Sequence, residues 1–144
     1  MKTYLALLTV TCLLGPAQGQ ETKPEGKLEG VWAITKLSVR GNETRPLPED
    51  GVVEFSKGMM RMRMMETEIK IGKYTIDPSK KPAEMNIVRQ EGDQKGMTVK
   101  AIFLLDGDDL KICLAEAPAV ARPMRFKVEG GERLVYMELK RKTK

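Results

Sequence analysis

Residues 99–114 have the sequence VKAIFLLDGDDLKICL, and this stretch decides the fold class. Alternate positions are apolar from Val99 to Leu105 and again from Leu110 to Leu114, a period of two that is typical of half-buried β-strands. The Asp106-Gly107 step between the two runs favours a tight hairpin turn, whose central residues need positive φ. The stretch therefore predicts two antiparallel strands that present one apolar face to a common interior.

The same period of two extends in both directions, and short turns rich in polar residues, glycine or proline separate the segments. Two slips of phase are predicted, one near Thr35-Lys36 and one at Gly72, where a β-bulge returns the following apolar residues to the interior. The residues from Met124 to Val128 are predicted to form a strand that pairs with the last strand, Val135 to Leu139. No sustained helical period occurs.

The pattern predicts an all-β fold, an antiparallel up-and-down barrel of about eight strands. Each predicted strand has one apolar face, so all of them need a shared interior. Closing the sheet into a barrel would also remove its exposed edges. The barrel domain is expected to run from Leu28 to Arg141.

The first nineteen residues are predicted to be a secretory signal peptide. Lys2 precedes an apolar run of about eleven residues, and Ala17 and Gly19 are small residues at the −3 and −1 positions of a cleavage site. The run is too short for a membrane span, which needs about twenty residues. We therefore expect a secreted or periplasmic/cell-envelope protein with no transmembrane segment. The expected organisation is a signal peptide at 1–19, a leader at 20–27, the barrel at 28–141 and a basic tail at 142–144.

The composition weighs against an enzyme. The chain has no histidine, which removes the commonest general base and metal ligand and makes Ser–His and Cys–His nucleophilic schemes impossible. It also has no glycine-rich phosphate loop. The densest acidic cluster, at Asp106, Asp108 and Asp109, fits a solvated hairpin turn better than an acid–base pair or a calcium site. We expect no catalytic site, no cofactor and no resident metal.

A single cysteine and a small positive net charge give little support to a reactive thiol or to binding of nucleic acid. Only Cys113 remains after the predicted cleavage, and a buried inert thiol is favoured over one activated by Lys111. Loss of Lys2 lowers the net charge from +5 to +4, and the excess lies largely in the stretch Lys140-Arg141-Lys142-Thr143-Lys144. Because the chain has one Trp, three Tyr and three Phe, we expect no nucleic-acid platform.

Methionines form the least ordinary feature of the sequence. Met60, Met62 and Met64 alternate with Arg61 and Arg63, so the three thioethers share one face of the predicted strand. A wall of this kind is flexible and suits ligands of varied shape. The alternative is a Cu(I) site at these three residues, because thioethers are soft ligands.

Five short motifs follow one another along the chain: Leu28-Glu29-Gly30-Val31-Trp32, Gly72-Lys73-Tyr74, Asp77-Pro78-Ser79-Lys80-Lys81-Pro82, Leu105-Asp106-Gly107-Asp108-Asp109-Leu110-Lys111-Ile112-Cys113 and Arg122-Pro123-Met124-Arg125-Phe126. In this order they resemble an uncharacterised family of secreted, lipocalin-like domains found chiefly in planctomycete bacteria. The resemblance covers about Leu28 to Arg141. It implies a lipocalin-like barrel and no particular activity. The run from Met59 to Met65 departs from the more polar strand expected in that family.

Gly30-Val31-Trp32 also looks like the Gly-x-Trp that opens the first strand of lipocalins. In those barrels the Trp closes one end beneath a basic side chain from the last strand. The resemblance implies that Lys140 or Arg141 makes this cation–π contact with Trp32. The helix that follows the barrel in lipocalins has no counterpart in this sequence.

The leading functional hypothesis is a binding module that holds a small apolar molecule inside the barrel. An eight-stranded barrel is just wide enough either to fill itself or to hold one small ligand. The alternative is therefore a structural or protein-interaction domain with a filled core and no ligand. The candidate lining residues are Trp32, Met60, Met62, Met64, Ile71, Tyr74, Met85, Phe103, Ile112, Met124, Phe126 and Met137.

Overall fold

The structure is a computed structural model that describes residues 24–143. The predicted signal peptide and most of the leader lie outside the described residues. The described elements are a 3-10 helix at Pro24–Lys27 and nine strands: β1 Gly30–Val39, β2 Asn42–Glu43, β3 Val52–Ser56, β4 Met59–Met64, β5 Thr67–Asp77, β6 Ala83–Val88, β7 Thr98–Asp106, β8 Asp109–Ala115 and β9 Leu134–Arg141.

Eight of the strands close into an antiparallel barrel, as the sequence predicted. From β3 to β9 each strand pairs with the next one, and β1 pairs with β3 on one edge and with β9 on the other. The two-residue β2 only extends the sheet beside the end of β1. The up-and-down connectivity and the β1–β9 closure are consistent with a lipocalin-like barrel.

Alternate side chains of the strands meet in one apolar core. The large side chains with no surface accessible to water include Trp32, Phe55, Met60, Ile87 and Met137, contributed by five different strands. Burial of one such side chain stabilises the fold by about 1.5–3 kcal/mol. The shared core therefore fixes the register of the whole barrel.

Both predicted bulges occur. The β1–β9 register shifts between Ile34 and Lys36. The β4–β5 register shifts opposite Gly72, so that Tyr74 points into the core. Gly72 has a φ of 153°, and a Cβ there would collide with the carbonyl oxygen of Val88. Only glycine fits this bulge without displacing the backbone of β6.

The predicted hairpin also forms, with a different turn. Asp106 pairs with Asp109, which leaves Gly107 and Asp108 as a two-residue loop. Gly107 has a φ of 59°, whereas Asp108 is not among the residues with positive φ. Glycine at the first central position alone is the requirement of a type II′ turn, so the expectation of two positive φ values was wrong.

The predicted strand from Met124 to Val128 does not exist. This region belongs to a long connection between β8 and β9, residues 116–133, which we call the outer segment. Both edges of β9 are occupied, by β8 and by β1, so no edge is free for a further strand. Phe126 and Val128 instead pack on the outside of the barrel, against Ile102, Cys113 and Tyr136.

Candidate functional site

The chain enters and leaves the barrel at the same end, and Trp32 closes the interior there. The β3–β4, β5–β6 and β7–β8 turns lie at this end, which we call the Trp32 end. The guanidinium carbon of Arg141 lies 4.2 Å from the centroid of the Trp32 ring. The basic side chain implied by the lipocalin resemblance is therefore Arg141, while Lys140 lies 3.6 Å from Asp109 in an ion pair.

Arg141 also fastens the segment that precedes β1. Its Nη1 donates to the carbonyl oxygen of Glu29 at 2.9 Å, and its Nη2 donates to that of Lys27 at 2.8 Å. The indole Nε1 of Trp32 donates to the carbonyl oxygen of Leu28 at 2.9 Å. These bonds hold the 3-10 helix and Leu28 across the Trp32 end. The planar guanidinium of Arg141 fixes its two acceptors in direction as well as in distance.

A cavity of 610 Å³ lies beside this segment. Its barrel wall is formed by the ends of three neighbouring strands, and Leu28 and the β5–β6 loop form the other sides. Leu104 and Phe126 continue the lining onto the outer face of β7. The lining residues are Lys27, Leu28, Ile76, Pro78, Lys80, Lys81, Pro82, Ala83, Phe103, Leu104, Leu105 and Phe126.

Every charged side chain that the structure describes in this lining is a lysine. Lys27, Lys80 and Lys81 are exposed, and none of them forms an ion pair with another residue in the described part of the chain. The remaining lining side chains are apolar. The cavity thus combines an apolar wall with a positively charged rim.

The loop that carries two of these lysines is fixed by Asp77. The Asp77 carboxylate accepts from the Ser79 amide at 3.1 Å and from the Ser79 hydroxyl at 2.5 Å. These two bonds, and then the positive charge of Lys80, lower the pKa of Asp77. The carboxylate therefore stays ionised and holds the start of the loop, with Lys80 nearby.

The centre of the barrel, in contrast, is filled. Met85, Ile112 and Met137 have no exposed surface, and Phe55 packs edge-to-face on Tyr74 with ring centroids 5.0 Å apart. Because water cannot reach the surface of Met85, Ile112 or Met137, no water-sized space adjoins these side chains. The space for a small molecule lies at the Trp32 end and not around these central residues.

The predicted lining residues are thus divided among three places. Met124 is 86 % exposed and Phe126 packs against the outer face, so neither lines the interior, because the outer segment is not a barrel strand. Phe103 lies in the core and also borders the end cavity, which Phe126 borders from outside. The others pack in the shared apolar core or against it: Trp32, Met60, Met62, Met64, Ile71, Tyr74, Met85, Ile112 and Met137.

Sequence reasoning missed the lysine rim and the strand ends that form the cavity wall. Lys80 and Lys81 were considered only as part of the motif Asp77-Pro78-Ser79-Lys80-Lys81-Pro82, and Lys27 only as part of the leader. One signal was available. In an up-and-down barrel the β5–β6 loop and the residues before β1 lie at the same end, so their lysines and apolar neighbours had to meet there.

At the opposite end, Arg89 has a buried Nε that lacks a hydrogen-bond partner within residues 24–143. Its backbone amide donates to the carbonyl oxygen of Met97 at 2.9 Å, and it follows Ile87 at the spacing of the inner face. An unpaired buried donor costs about 1–3 kcal/mol. The unpaired Nε of Arg89 is therefore expected to lower the free energy of unfolding.

Cys113 has the properties of an inert thiol. It is fully buried beneath the outer segment, together with Tyr136 and Ile102. Burial, and then the negative charge of Glu132, raise its pKa to about 11. The thiol is therefore protonated near neutral pH and is a poor nucleophile.

The methionine run contributes mainly to packing. Met60 is fully buried, while Met62 and Met64 are half-buried against the core. In the described part of the chain, no group of three or more Cys, Asp or Glu side chains is placed to hold a metal ion. No helix between residues 24 and 143 is long and apolar enough to cross a bilayer.

Comparisons of the chain with models of protein families, with curated proteins and with solved structures find no match. The function is therefore inferred from the geometry of the barrel and its cavity.

Proposed function

We propose that this protein is an exported, lipocalin-like domain that binds a small apolar molecule in the cavity at the Trp32 end. The observation that carries the proposal is a 610 Å³ cavity whose wall is formed by apolar side chains of three adjacent strands. Small-molecule sites usually have volumes of about 300–1,000 Å³ and mainly apolar linings. The signal peptide and the family resemblance support export, and the absence of histidine supports binding without catalysis.

The cavity has the rigidity that a binding site needs. Ile76, Ala83 and Phe103 belong to paired strands, and the β5–β6 loop is held by the bonds of Asp77 to Ser79. Leu28 is positioned by the hydrogen bond from Trp32. A preformed wall lowers the ordering cost of binding, so that most of the apolar contact contributes to affinity.

The test uses a neutral fluorescent probe, N-phenyl-1-naphthylamine, and two tryptophan variants. Ala83→Trp places a large ring inside the cavity, whereas Thr75→Trp places the same ring on the exposed outer face of β5. We expect the wild type and Thr75→Trp to enhance the fluorescence of the probe with saturation, and Ala83→Trp to lose that enhancement. Equal probe binding by all three proteins would contradict a site in this cavity.

The filled centre of the barrel favours a second candidate, a structural or protein-interaction domain without a small ligand. Its basis is the zero exposure of Met85, Ile112 and Met137. This candidate predicts no saturable probe binding to the wild type. It also predicts no small molecule in native mass spectra of the protein purified from its own host.

The proposed export has a separate test. Cleavage after Gly19 would give a secreted chain that begins at Gln20 and has 125 of the 144 residues. Intact-mass measurement of the protein from the cell envelope or the medium distinguishes this product from the full-length chain.

A further inference from the structure

Resting on the proposed function, we infer that the cavity selects single-chain amphiphiles that end in an anionic group, with a long-chain carboxylate as the representative ligand. The inference depends on the rim of the cavity and not on its apolar wall. Lys27, Lys80 and Lys81 come from two separate parts of the chain and border the same opening.

The charge at the rim is unbalanced. The lining has three lysines and no acidic side chain among the described residues. The nearby carboxylate of Asp77 accepts both hydrogen bonds of Ser79, and none of the three lysines forms an ion pair within the described residues. An uncompensated positive rim beside an apolar surface attracts a negative group that carries an apolar chain.

The arrangement also fixes how such a ligand would lie. The wall below the rim consists of Leu28, Ile76, Ala83, Phe103 and Leu105, which offer no polar side-chain atom to a ligand. An alkyl chain is stabilised there because its methylene groups are removed from water. The anionic end then lies at the solvent-facing rim, where the lysines keep their hydration and do not need to be buried.

Lysine fits this task better than arginine would. Its ammonium group is a compact charge on a flexible side chain. Three lysines can therefore contact an anion whose position at the rim varies. The apolar wall sets no sharp limit on chain length, because the lining continues past Leu104 to Phe126 on the outer face. We therefore expect selection for charge sign and only weak selection for chain length.

The experiment compares three twelve-carbon probes by isothermal titration: dodecanoate and dodecyltrimethylammonium below their micellar concentrations, and dodecan-1-ol below its solubility limit. We expect dodecanoate to bind about tenfold more tightly than dodecan-1-ol, because a partly exposed ion pair contributes about two- to fivefold and more than one lysine acts. The cation should bind more weakly than the alcohol. Raising the salt concentration should reduce the preference, since the rim is open to solvent.

Two triple variants assign the preference to the rim. The rim variant is Lys27→Gln/Lys80→Gln/Lys81→Gln. The matched control is Lys73→Gln/Lys95→Gln/Lys100→Gln, which makes the same change of charge at exposed positions that do not line the cavity. The rim variant should bind dodecanoate and dodecan-1-ol equally, whereas the control should keep the wild-type preference.

The outcomes separate this inference from the proposed function. Binding of dodecan-1-ol without any preference for dodecanoate would overturn the inference and leave the proposed function in place. Loss of the preference in both triple variants would also overturn it, because net charge alone would then be responsible. Failure of every probe to bind would overturn both. Pelleting with phosphatidylglycerol-containing vesicles, without binding of monomeric dodecanoate, would assign the lysines to a membrane surface and contradict the inference.

Discussion

The contact between Arg141 and Trp32 holds together the end of the barrel that carries the cavity, and Arg141→Met tests it. Methionine keeps an unbranched apolar chain over the indole ring but cannot donate to the carbonyl oxygens of Glu29 and Lys27. The substitution also removes the cation from its position 4.2 Å from the Trp32 ring centroid.

The expected loss follows from these contacts. Hydrogen bonds from charged groups contribute about 1.5–3 kcal/mol each, and the side chain of Arg141 is 28 % exposed, so we count about 1 kcal/mol for each bond. A cation–π contact of intermediate exposure adds about 1 kcal/mol. The free energy of unfolding should therefore fall by about 3 kcal/mol, which lowers Tm by about 10 °C for a domain of this size.

Urea denaturation followed by far-ultraviolet circular dichroism measures this loss, because the fluorescence of Trp32 would itself change in the variant. The control is Lys140→Met, which removes a neighbouring positive charge whose ion pair with Asp109 is exposed. Its cost should stay below about 0.5 kcal/mol. A loss below 1 kcal/mol for Arg141→Met, or equal losses for both variants, would refute this account of the Trp32 end.

Three further perturbations test other parts of the structure. Arg89→Met should raise the free energy of unfolding by about 1 kcal/mol in urea denaturation, because it removes a buried donor without a partner; a loss of stability would show that the guanidinium is satisfied. Since the pKa of Cys113 is raised to about 11 in the folded state, its contribution is present below the unfolded pKa and is lost as the pH rises through 11. The stability of the wild type relative to Cys113→Ala should therefore fall by roughly 2–3 kcal/mol between pH 8 and pH 11, and a constant difference would contradict the raised pKa. Phe126→Ala should cost about 1–2 kcal/mol and Met124→Ala almost nothing, because the half-buried Phe126 covers the outer face and Met124 is exposed; similar costs would contradict the placement of the outer segment.

The sequence was sufficient for the barrel because one apolar face on each strand specifies a shared interior. The slips at Thr35-Lys36 and Gly72 could be predicted for the same reason, since the phase of the apolar residues changes there. The wrong strand at Met124 to Val128 shows the limit of this logic. Alternating apolar residues indicate contact with an apolar surface, but whether the backbone finds a free strand edge depends on pairing elsewhere in the fold.

The candidate site was harder to predict, for a physical reason. Its apolar residues lie at strand ends and were counted with the core, while the lysines lie in connections that have no period. Lys27 and Lys80 are far apart in the sequence and meet only because β1 begins and β5 ends at the same end of the barrel. The filled centre depends on how the side chains fit together, which a pattern of residue types does not specify.

The central claim is tested most directly by identifying the residues that a bound molecule contacts. With methyl-labelled protein and bound dodecanoate, nuclear Overhauser effects should connect the alkyl chain to the methyl groups of Ile76 and Leu105, at the Trp32 end. No such effects should reach the methyl groups of Met85 and Met137, which are buried at the barrel centre. Contacts to these two methionines, without contacts to Ile76 and Leu105, would contradict the account.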